Sequence, residues 1–275
     1  MATAQPVRAQ LSPVENVAVG AFGGALETCL LMPVLTFKFC TQEGRALPKN
    51  VAGWYRGVGV QAGTVAPITA IQMMVNGVLQ GLALRGEKRA LTDWEQIYTA
   101  AGAGAISALV YSPVDLTTIQ QQKLNLNSVS ALSHVVREHG VSSVFRGFVA
   151  CATREAVYTA GYLGAAPVIS AQLAKLDAFQ DKQFAAGLCG ACIAGTAAAM
   201  VTHPIDTAKT CYQSDMAGVT YSSARAALPK LVAEGGVRAL YRGGAARTTR
   251  VCGAFFVCMT IRDYAIDYKT AREQP

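Results

Sequence analysis

The sequence is poor in charge and in histidine, and both shortages restrict what the protein can be. Asp, Glu, Lys and Arg make up only 15% of the 275 residues, whereas hydrophobic residues make up 52% and the mean hydropathy is +0.28. This composition argues against a soluble globular protein. Three histidines, without an HExxH pattern or a Cys/His cluster, predict neither a metal site nor a cofactor. No nucleophile–base constellation is present, so we expect no enzyme.

The charge that is present is mostly basic. The formal net charge is +7, with Lys and Arg concentrated in short connections such as those around Arg45, Lys49 and Arg242. Anionic lipid headgroups attract such segments, so we expect contacts with anionic lipids, cardiolipin being one candidate. No basic run is interleaved with aromatics, which argues against a nucleic-acid partner. Residues 1–13 carry one Arg and no hydrophobic stretch, which predicts neither a secretory signal nor a long transit peptide.

Long apolar stretches are abundant. A bilayer core needs about 20 mostly apolar residues per helix, and six stretches approach that length; a soluble Ala-rich helical bundle is the alternative. Gly and Ala are frequent throughout them, which favours close helix packing in lipid and hence a compact bundle. The six predicted spans are Val17–Phe39, Val58–Leu84, Tyr98–Ile119, Val149–Leu173, Phe184–Thr202 and Ala245–Ile261.

A proline motif recurs near the end of the first, third and fifth predicted spans. In each copy a Gln follows the proline after nine residues, and three identical offsets indicate an internal repeat. A proline inside a spanning helix is expected to kink it, because one backbone donor is lost. The copies read Pro33-Val-Leu-Thr-Phe-Lys38 with Gln42, Pro113-Val-Asp-Leu-Thr-Thr118 with Gln122, and Pro204-Ile-Asp-Thr-Ala-Lys209 with Gln213.

A second motif, an aromatic residue followed by Arg and Gly, precedes each even-numbered span. The period of both motifs is two helices. Three equivalent kinks would draw the odd-numbered helices together at one end of a pseudo-threefold barrel. The motifs end at Gly57, Gly147 and Gly243, and the predicted repeats cover residues 1–90, 91–178 and 179–275.

Together the motifs resemble those of the mitochondrial carrier family, whose pattern is Pro-x-(Asp/Glu)-x-x-(Lys/Arg), a Gln, and then aromatic-(Lys/Arg)-Gly. The third copy matches in full, the first lacks the acid and the second lacks the base. The resemblance covers nearly the whole chain. It implies an all-α membrane protein of the mitochondrial inner membrane, with six transmembrane helices in three two-helix repeats and the pseudo-threefold carrier fold.

The resemblance also implies a gate of ion pairs at the matrix end of a central cavity, in which the base of each repeat pairs with the acid of the preceding one. The alternative is that Asp115 and Lys209 are interfacial charges at helix ends. The implied gate residues are Lys38 with Asp206 and Asp115 with Lys209, braced by Gln42, Gln122 and Gln213.

The two missing charges of the gate would have faced each other. Leu35 stands where the first acid would be, and Thr118 stands where the second base would be. The resemblance therefore implies an apolar/hydroxyl contact in place of one ion pair. Because both charges are missing, neither is left buried without a partner, which would be energetically costly.

A carrier of this family binds its solute half-way through the membrane, a fixed distance beyond aromatic-Arg-Gly. Seven residues past each Gly stand Thr64, Arg154 and Arg250. Ionisable residues in apolar spans are functional candidates, and a guanidinium offers a bidentate fork to a carboxylate. Glu155, beside Arg154, could receive an ammonium, an arrangement that resembles amino-acid carriers. Tyr158 and Glu27 complete the implied site, with a Glu27–arginine ion pair as the alternative role for Glu27.

Two departures from the family pattern bear on function. Residues 76–80 and 166–170 lack the acid and base expected at the opposite end of the even-numbered helices, and only the last helix keeps charge there. The first repeat is short, with 24 residues from Pro33 to Gly57 against 34 and 39 in the others, so its matrix helix is predicted to be missing.

Two functions fit these observations. One is a transporter of a small amino acid or carboxylate that works by alternating access. The other is a carrier-like subunit without transport activity that packs against a larger inner-membrane assembly, such as a respiratory-chain complex. The intramembrane arginines favour transport, because such charges are expensive to keep; the short repeat and the missing charges favour the subunit.

Overall fold

The computed structural model describes residues 13–87, 89–179 and 182–273. Within these residues all regular secondary structure is helical, which confirms the predicted all-α class. Residues 1–12 lie outside the described residues, and with them most of the segment on which the targeting-signal prediction rests.

The α-helices are numbered along the chain. Two 3₁₀ segments, Val141–Phe145 and Asp177–Phe179, and a π-helical segment, Ala160–Ala165, lie between them. The α-helices are α1 (Pro13–Glu43), α2 (Val51–Trp54), α3 (Val58–Leu84), α4 (Asp93–Leu124), α5 (Ser128–His139), α6 (Phe148–Thr159), α7 (Ala166–Leu173), α8 (Gln183–Ser214), α9 (Ala224–Leu240, with non-helical backbone at Gly235 and Gly236) and α10 (Gly244–Glu273).

Local sequence signals fix where α4 begins and ends. The Thr92 hydroxyl accepts a hydrogen bond from the Glu95 N–H, and the Glu95 carboxylate accepts one from the Thr92 N–H at 2.8 Å. This reciprocal cap satisfies two donors that the first turn leaves free. At the other end Asn125 adopts a left-handed conformation (φ 60°) that stops the helix.

The long helices form a closed ring in chain order. α1 packs on α3, α3 on α4, α4 on α6 and the π segment, α6 and α7 on α8, α8 on α10, and α10 again on α1. The helix ring therefore has an inner and an outer face. Large apolar side chains exposed at the surface include Phe22, Leu30, Met74, Leu82, Leu109 and Val201.

Four segments of the described residues are long and apolar enough to cross a membrane: Ala18–Glu43, Val51–Leu84, Asp93–Leu124 and Gln183–Ser214. The fourth and sixth predicted spans are not among them, because neither is a helix that is both long and apolar enough. The fourth is divided into shorter helices, and the sixth belongs to α10, whose apolar sequence is interrupted by the charges of Arg247, Arg250 and Arg262.

The fourth predicted span, Val149–Leu173, is not one α-helix. Pro167 has no N–H, so the carbonyl of Leu163 loses the donor that an α-helix would give it. The chain widens into the π segment just before this point, and the Ala166 N–H bonds to the Gly161 carbonyl five residues earlier. The structure therefore places α6 and α7 on either side of a wider turn.

Small residues bring the helices close together, as the Gly/Ala-rich composition predicts. A Cβ added to Gly104 of α4 would lie 2.3 Å from the backbone carbonyl oxygen of Glu155 in α6. Only a glycine permits that backbone approach. The contact fixes the part of α6 that carries Arg154 and Glu155 against α4.

The three glycines of the aromatic-Arg-Gly motif occupy equivalent places. Gly57, Gly147 and Gly243 all have positive φ (96°, 79° and 79°) and precede α3, α6 and α10. A Cβ on each would contact Thr118, Lys209 and Lys38 respectively, at 2.8, 3.3 and 3.3 Å. Thr118 thus stands at the position that a lysine occupies in the other two motifs.

The connection between α1 and α3 holds only one helical turn, α2. The Asn50 side chain caps this turn by accepting the Gly53 N–H at 2.9 Å. The corresponding connections contain α5, of 12 residues, and α9, of 17 residues. The short segment leaves Lys49 and Val51 exposed at the surface.

Candidate functional site

A cavity of about 160 Å³ lies inside the ring and is lined by side chains from five helices. Most of the lining is charged, aromatic or amide in character, which is unusual for the interior of an apolar bundle. The charged lining residues are Glu27 and Lys38 of α1, Asp115 of α4, Arg154 and Glu155 of α6, and Arg247 and Arg250 of α10. Gln61 of α3, Tyr111 of α4 and Tyr158 of α6 contribute the polar aromatic and amide groups.

Two ion pairs close one side of this cavity. Lys38 Nζ lies 2.6 Å from Asp206 Oδ2 and joins α1 to α8. Lys209 Nζ contacts Asp115 Oδ2 and joins α8 to α4. All four side chains are buried, so each charge depends on its partner for solvation.

Arg154 links the two ion pairs to each other. Its Nη2 lies 3.0 Å from Asp115 Oδ2, and its Nη1 lies 3.0 Å from Asp206 Oδ1. The same Nη2 is 2.5 Å from Glu155 Oε1. The guanidinium therefore contacts three carboxylates and belongs to the ion-pair network as much as to the cavity lining.

Arg250 and Glu27 form the opposite wall. Arg250 Nη2 lies 3.4 Å from Glu27 Oε1, and the Thr28 hydroxyl donates to Glu27 Oε2 at 3.3 Å. This is the Glu27–arginine ion pair that the sequence offers as an alternative role for Glu27. Arg247, one turn before Arg250, donates from Nη2 to the Thr202 hydroxyl at 2.8 Å and places Nη1 3.7 Å from Asp206.

The three repeat glutamines have different partners. Gln42 donates to Asp206 Oδ2 at 3.2 Å and so contacts one ion pair directly. Gln122 donates to the Thr36 hydroxyl at 3.1 Å and to a backbone carbonyl. Gln213 donates to the Arg146 carbonyl at 2.8 Å, which ties α8 to the start of α6 instead of bracing Asp115 and Lys209.

The interface between α1 and α4, where Leu35 and Thr118 replace the charged motif positions, has no ion pair at those positions among the described residues. Leu35 is buried in an apolar cluster with Met32, Phe39 and Ile119. Across from this cluster the Thr118 hydroxyl accepts a hydrogen bond from Gln61 Nε2 at 3.1 Å. An apolar cluster and an amide–hydroxyl hydrogen bond thus stand where a third pair of charges would be.

The carboxyl ends of α1, α4 and α8 meet just beyond the ion pairs. Arg45 donates to the Gln122 carbonyl at 3.0 Å, and Gln120 donates to the Gln213 carbonyl at 2.6 Å. The Ser214 hydroxyl donates to Glu43 at 3.2 Å. Each helix end is bonded to both others, so the cavity is closed on this side.

At the other end of α1, Lys269 Nζ lies 2.7 Å from Glu15 Oε2 and joins α10 to α1. Among the even-numbered helices the sequence leaves charge at that end only on the last one, and Lys269 of that helix has its partner on the first helix.

The structure does not bring Thr64 to the cavity. Its hydroxyl donates back to the Val60 carbonyl at 2.7 Å, as short hydroxyl side chains do in helices. Gln61, one turn earlier, is the α3 side chain that lines the cavity. The signal that finds Gln61 and Arg247 is an offset of four residues past the motif glycine, on the same helix face as the offset of seven.

The charges around the cavity do not balance. The cavity lining and the two ion pairs contain five basic side chains and four acidic ones: Lys38, Arg154, Lys209, Arg247 and Arg250 against Glu27, Asp115, Glu155 and Asp206. Three buried guanidinium nitrogens also make no hydrogen bond within the described part of the chain, namely Arg154 Nε, Arg247 Nη1 and Arg250 Nε. Buried donors of this kind favour an anionic partner.

Comparison with known proteins agrees with the repeat motifs. The model of the mitochondrial carrier protein family matches residues 89–175 and 180–272, more than half of the chain. The chain is 26% identical over 271 residues to a calcium-binding mitochondrial carrier protein of Dictyostelium discoideum, covering 90% of this chain and 35% of the relative.

Two further relatives have substrates in their names. The chain is 30% identical over 215 residues to the electrogenic aspartate/glutamate antiporter SLC25A13 of Rattus norvegicus (75% of this chain, 31% of the relative). It is 27% identical over 234 residues to the mitochondrial 2-oxodicarboxylate carrier 1 of Saccharomyces cerevisiae (80% and 74%). The chain spans about a third of the length of the Dictyostelium carrier and of the rat antiporter. On the motifs, the fold and the family match, this chain belongs to the mitochondrial carrier family.

Proposed function

We propose that the protein is a mitochondrial inner-membrane carrier that exchanges a small amino acid or carboxylate by alternating access. In this proposal Phe148–Leu173 and α10 cross the membrane together with the four apolar segments, which gives six spans in a pseudo-threefold ring. Arg154 of α6 and Arg247 and Arg250 of α10 line the cavity inside the ring, where intramembrane charge is best accommodated.

The observation that carries the proposal is the excess of cationic groups around a buried cavity. With five basic and four acidic side chains, an entering carboxylate would neutralise the remaining positive charge. Arg250 is the preferred carboxylate ligand, because its single acidic contact is the 3.4 Å one to Glu27 and its Nε has no hydrogen bond among the described residues. Glu155 is placed to receive an ammonium group of an amino acid.

The relatives support this solute class without fixing it. Their names specify aspartate and glutamate in one case and 2-oxodicarboxylates in another. All of these solutes carry two carboxylates, and they differ in whether an ammonium or a keto group stands beside one of them. A site with Arg250, Arg247 and Glu155 offers contacts to either type.

Exchange by the purified protein tests the proposal. Wild-type protein in liposomes should exchange labelled L-glutamate, L-aspartate or 2-oxoglutarate, and Arg250→Ala should reduce the exchange by about 10- to 150-fold, because a hydrogen bond to a charged group is lost. Arg137→Ala, on the exposed face of α5, is the matched control and should exchange like the wild type. Absence of wild-type exchange and of any solute-induced rise in melting temperature contradicts the transport proposal.

The second candidate function is that of a carrier-like subunit in a larger inner-membrane assembly, such as a respiratory-chain complex. It is favoured by the one-turn α2, which leaves the surface around Lys49 and Val51 exposed where the other two repeats have a helix. In that case the cavity charges would serve the internal ion pairs alone.

Contact with anionic lipid is part of either proposal. A groove of about 580 Å³ lies between the start of α6, the carboxyl half of α8 and the start of α9. Phe145, Phe148 and Leu228 give it an apolar wall, and Arg225 stands at its rim. The amino ends of two helices beside an apolar groove suit a phosphate headgroup with acyl chains.

A further inference from the structure

Two pairs of aromatic side chains are exposed on the surface of the helix ring. Trp94 and Tyr98 lie one turn apart near the start of α4; they are 67% and 69% exposed, and their rings stack with centroids 6.2 Å apart. Tyr264 and Tyr268 lie one turn apart near the end of α10 and are 74% and 58% exposed. Large rings this exposed are candidates for contact with something outside the chain.

Both pairs lie at the end of the ring opposite the ion pairs. The carboxyl ends of α1, α4 and α8 meet beside the ion pairs, so the starts of these helices lie at the other end. The end of α10 lies there too, because Lys269 is paired with Glu15 at the start of α1. The aromatic pairs therefore belong to one end of the molecule, although they come from different repeats.

The exposed side chains change in character along each helix. Farther into α4 they include the aliphatic Ile106 and Leu109, and farther into α10 they include Phe256. Trp and Tyr differ from these residues because each combines an apolar ring with one polar group, and both are enriched where hydrocarbon meets lipid headgroups. The order along both helices is thus the one expected from the middle of a bilayer to its surface.

Charged side chains lie on the outer side of the α4 pair. In the connection before α4, Arg89 contacts Glu87 at 2.9 Å and Glu95 at 2.6 Å. These three side chains are partly or largely exposed, as suits a segment in water. The aromatic pair of α4 stands between this charged connection and the apolar part of the helix.

The spacing along the two helices agrees with the thickness of a bilayer. From Tyr98 about 20 residues lead to Thr118, near the ion pairs, and from Tyr264 about 20 residues lead back to Gly244, where α10 begins. At 1.5 Å per residue each stretch is about 30 Å long, which is the thickness of the hydrocarbon core. Two helices from different repeats therefore give the same span.

We propose that the Trp94–Tyr98 and Tyr264–Tyr268 pairs bind the lipid headgroup region and mark one boundary of the bilayer. In this arrangement α10 crosses the hydrocarbon core in spite of its arginines, because they line the cavity inside the ring while its aromatic side chains meet the lipid. The inference rests on the membrane location within the proposed function, but it does not require transport.

Tryptophan fluorescence tests the α4 pair, because the chain contains only Trp54 and Trp94. Trp54→Phe leaves Trp94 as the sole reporter in the full-length protein, reconstituted in phosphatidylcholine vesicles. Lipids brominated near the headgroup should quench Trp94 emission more strongly than lipids brominated near the ends of the acyl chains. The matched control is Leu109→Trp in a protein with Trp54→Phe and Trp94→Phe. Leu109 is exposed on the face of Tyr98, about 16 Å deeper, so the order should be reversed.

The same comparison on α10 tests the sixth span. In the protein without tryptophan, Tyr264→Trp should be quenched more strongly by the lipid brominated near the headgroup. Phe256→Trp lies about 12 Å nearer the middle of the helix and should be quenched more strongly by the lipid brominated near the chain ends. Equal quenching of these two variants by both lipids would overturn the boundary on α10.

Other outcomes separate this proposal from the proposed function. Quenching of Trp94 by aqueous acrylamide and by neither lipid, with Leu109→Trp quenched as expected, would overturn the proposal and assign the aromatic surface to water or to a protein partner. If Leu109→Trp is also quenched by neither lipid, the membrane location fails, and the proposed function fails with it. Should Trp54→Phe not fold, the difference in emission between the wild type and Trp94→Phe gives the quenching of Trp94.

Discussion

Asp206 receives positive charge from three helices. Lys38 of α1, Arg154 of α6 and Arg247 of α10 all approach its carboxylate, and Gln42 adds a hydrogen bond. The side chain is fully buried. An unpaired charge there would cost several kcal/mol in a low-dielectric interior. The surrounding cations therefore allow Asp206 to stay ionised while it is buried.

The sequence predicts the residue types of this network better than their contacts. The resemblance to the carrier family implies that Lys38 pairs with Asp206 and Lys209 with Asp115, and both contacts are present in the structure. The position of Arg154 is also given by an offset. Its bridging of two acids is not, because the reach of a long side chain across neighbouring helices depends on how α6 is held against α4.

The third interface leads to a residue-scale prediction. Leu35→Glu should destabilise the protein, because it puts a carboxylate into the cluster of Met32, Phe39 and Ile119. Thr118→Lys should cost less, since a lysine can extend toward water. Combined, the two should recover part of the loss, with a favourable coupling of roughly 0.5–3 kcal/mol in the unfolding free energy.

A double-mutant cycle of melting transitions in detergent measures this coupling. Leu35→Gln is the control, because it removes the apolar side chain without adding charge, and it should show no recovery with Thr118→Lys. Additive effects of Leu35→Glu and Thr118→Lys would mean that the two positions do not meet.

At the scale of helices, the break in the fourth span shows where sequence patterns stop being sufficient. Pro67 lies inside a continuous α3, whereas Pro167 follows a π segment. Both prolines can be read from the sequence, but the residues around them do not predict which one lies in a continuous α-helix and which one follows a π segment. The difference lies in packing: a Cβ on Gly161 or Gly164 would lie 2.9 Å from Ala198 or Ile97, so this segment is held against α8 and α4 over the irregular turn.

Helix contact through glycine gives an element-scale prediction. Gly104→Ala should destabilise the protein by about 1–3 kcal/mol, because its Cβ would lie 2.3 Å from the Glu155 carbonyl oxygen and force α4 and α6 apart. Gly77→Ala is the matched control: it also lies within a helix, but its Cβ would meet nothing within 4 Å.

Thermal unfolding in detergent distinguishes the two substitutions. Gly77→Ala should be neutral or stabilise by about 0.4–1 kcal/mol, since alanine reduces the conformational entropy of the unfolded chain. Gly104→Ala should also reduce solute exchange, because the displaced segment carries Arg154 and Glu155. Equal melting temperatures for the two variants would contradict the close contact of α4 with α6.

At the scale of the whole molecule, the three repeats share their motifs, but the first repeat differs in structure from the other two. The carrier family model matches residues 89–175 and 180–272 and leaves the first repeat unmatched. In that repeat α2 is a single turn, and Leu35 replaces the acid. The departures are readable in the sequence as a shortened spacing and a missing charge. The spacing of the motifs does not encode which molecule contacts the exposed surface of this repeat, and that contact decides between transport and the binding of a partner.

The size of the native particle separates the two functions. A carrier that works alone should migrate, after mild solubilisation of the membrane, near its own 28.8 kDa plus bound detergent and lipid. A subunit should migrate in a far larger complex, and Lys49 should then crosslink to another protein, because it is exposed beside the one-turn α2. Lys175, exposed after α7, is the internal control and should give no crosslink to that protein. A large complex in which Lys49 stays uncrosslinked would separate the short connection from partner binding, and a lone particle that exchanges L-glutamate would leave transport as the function that the cavity charges support.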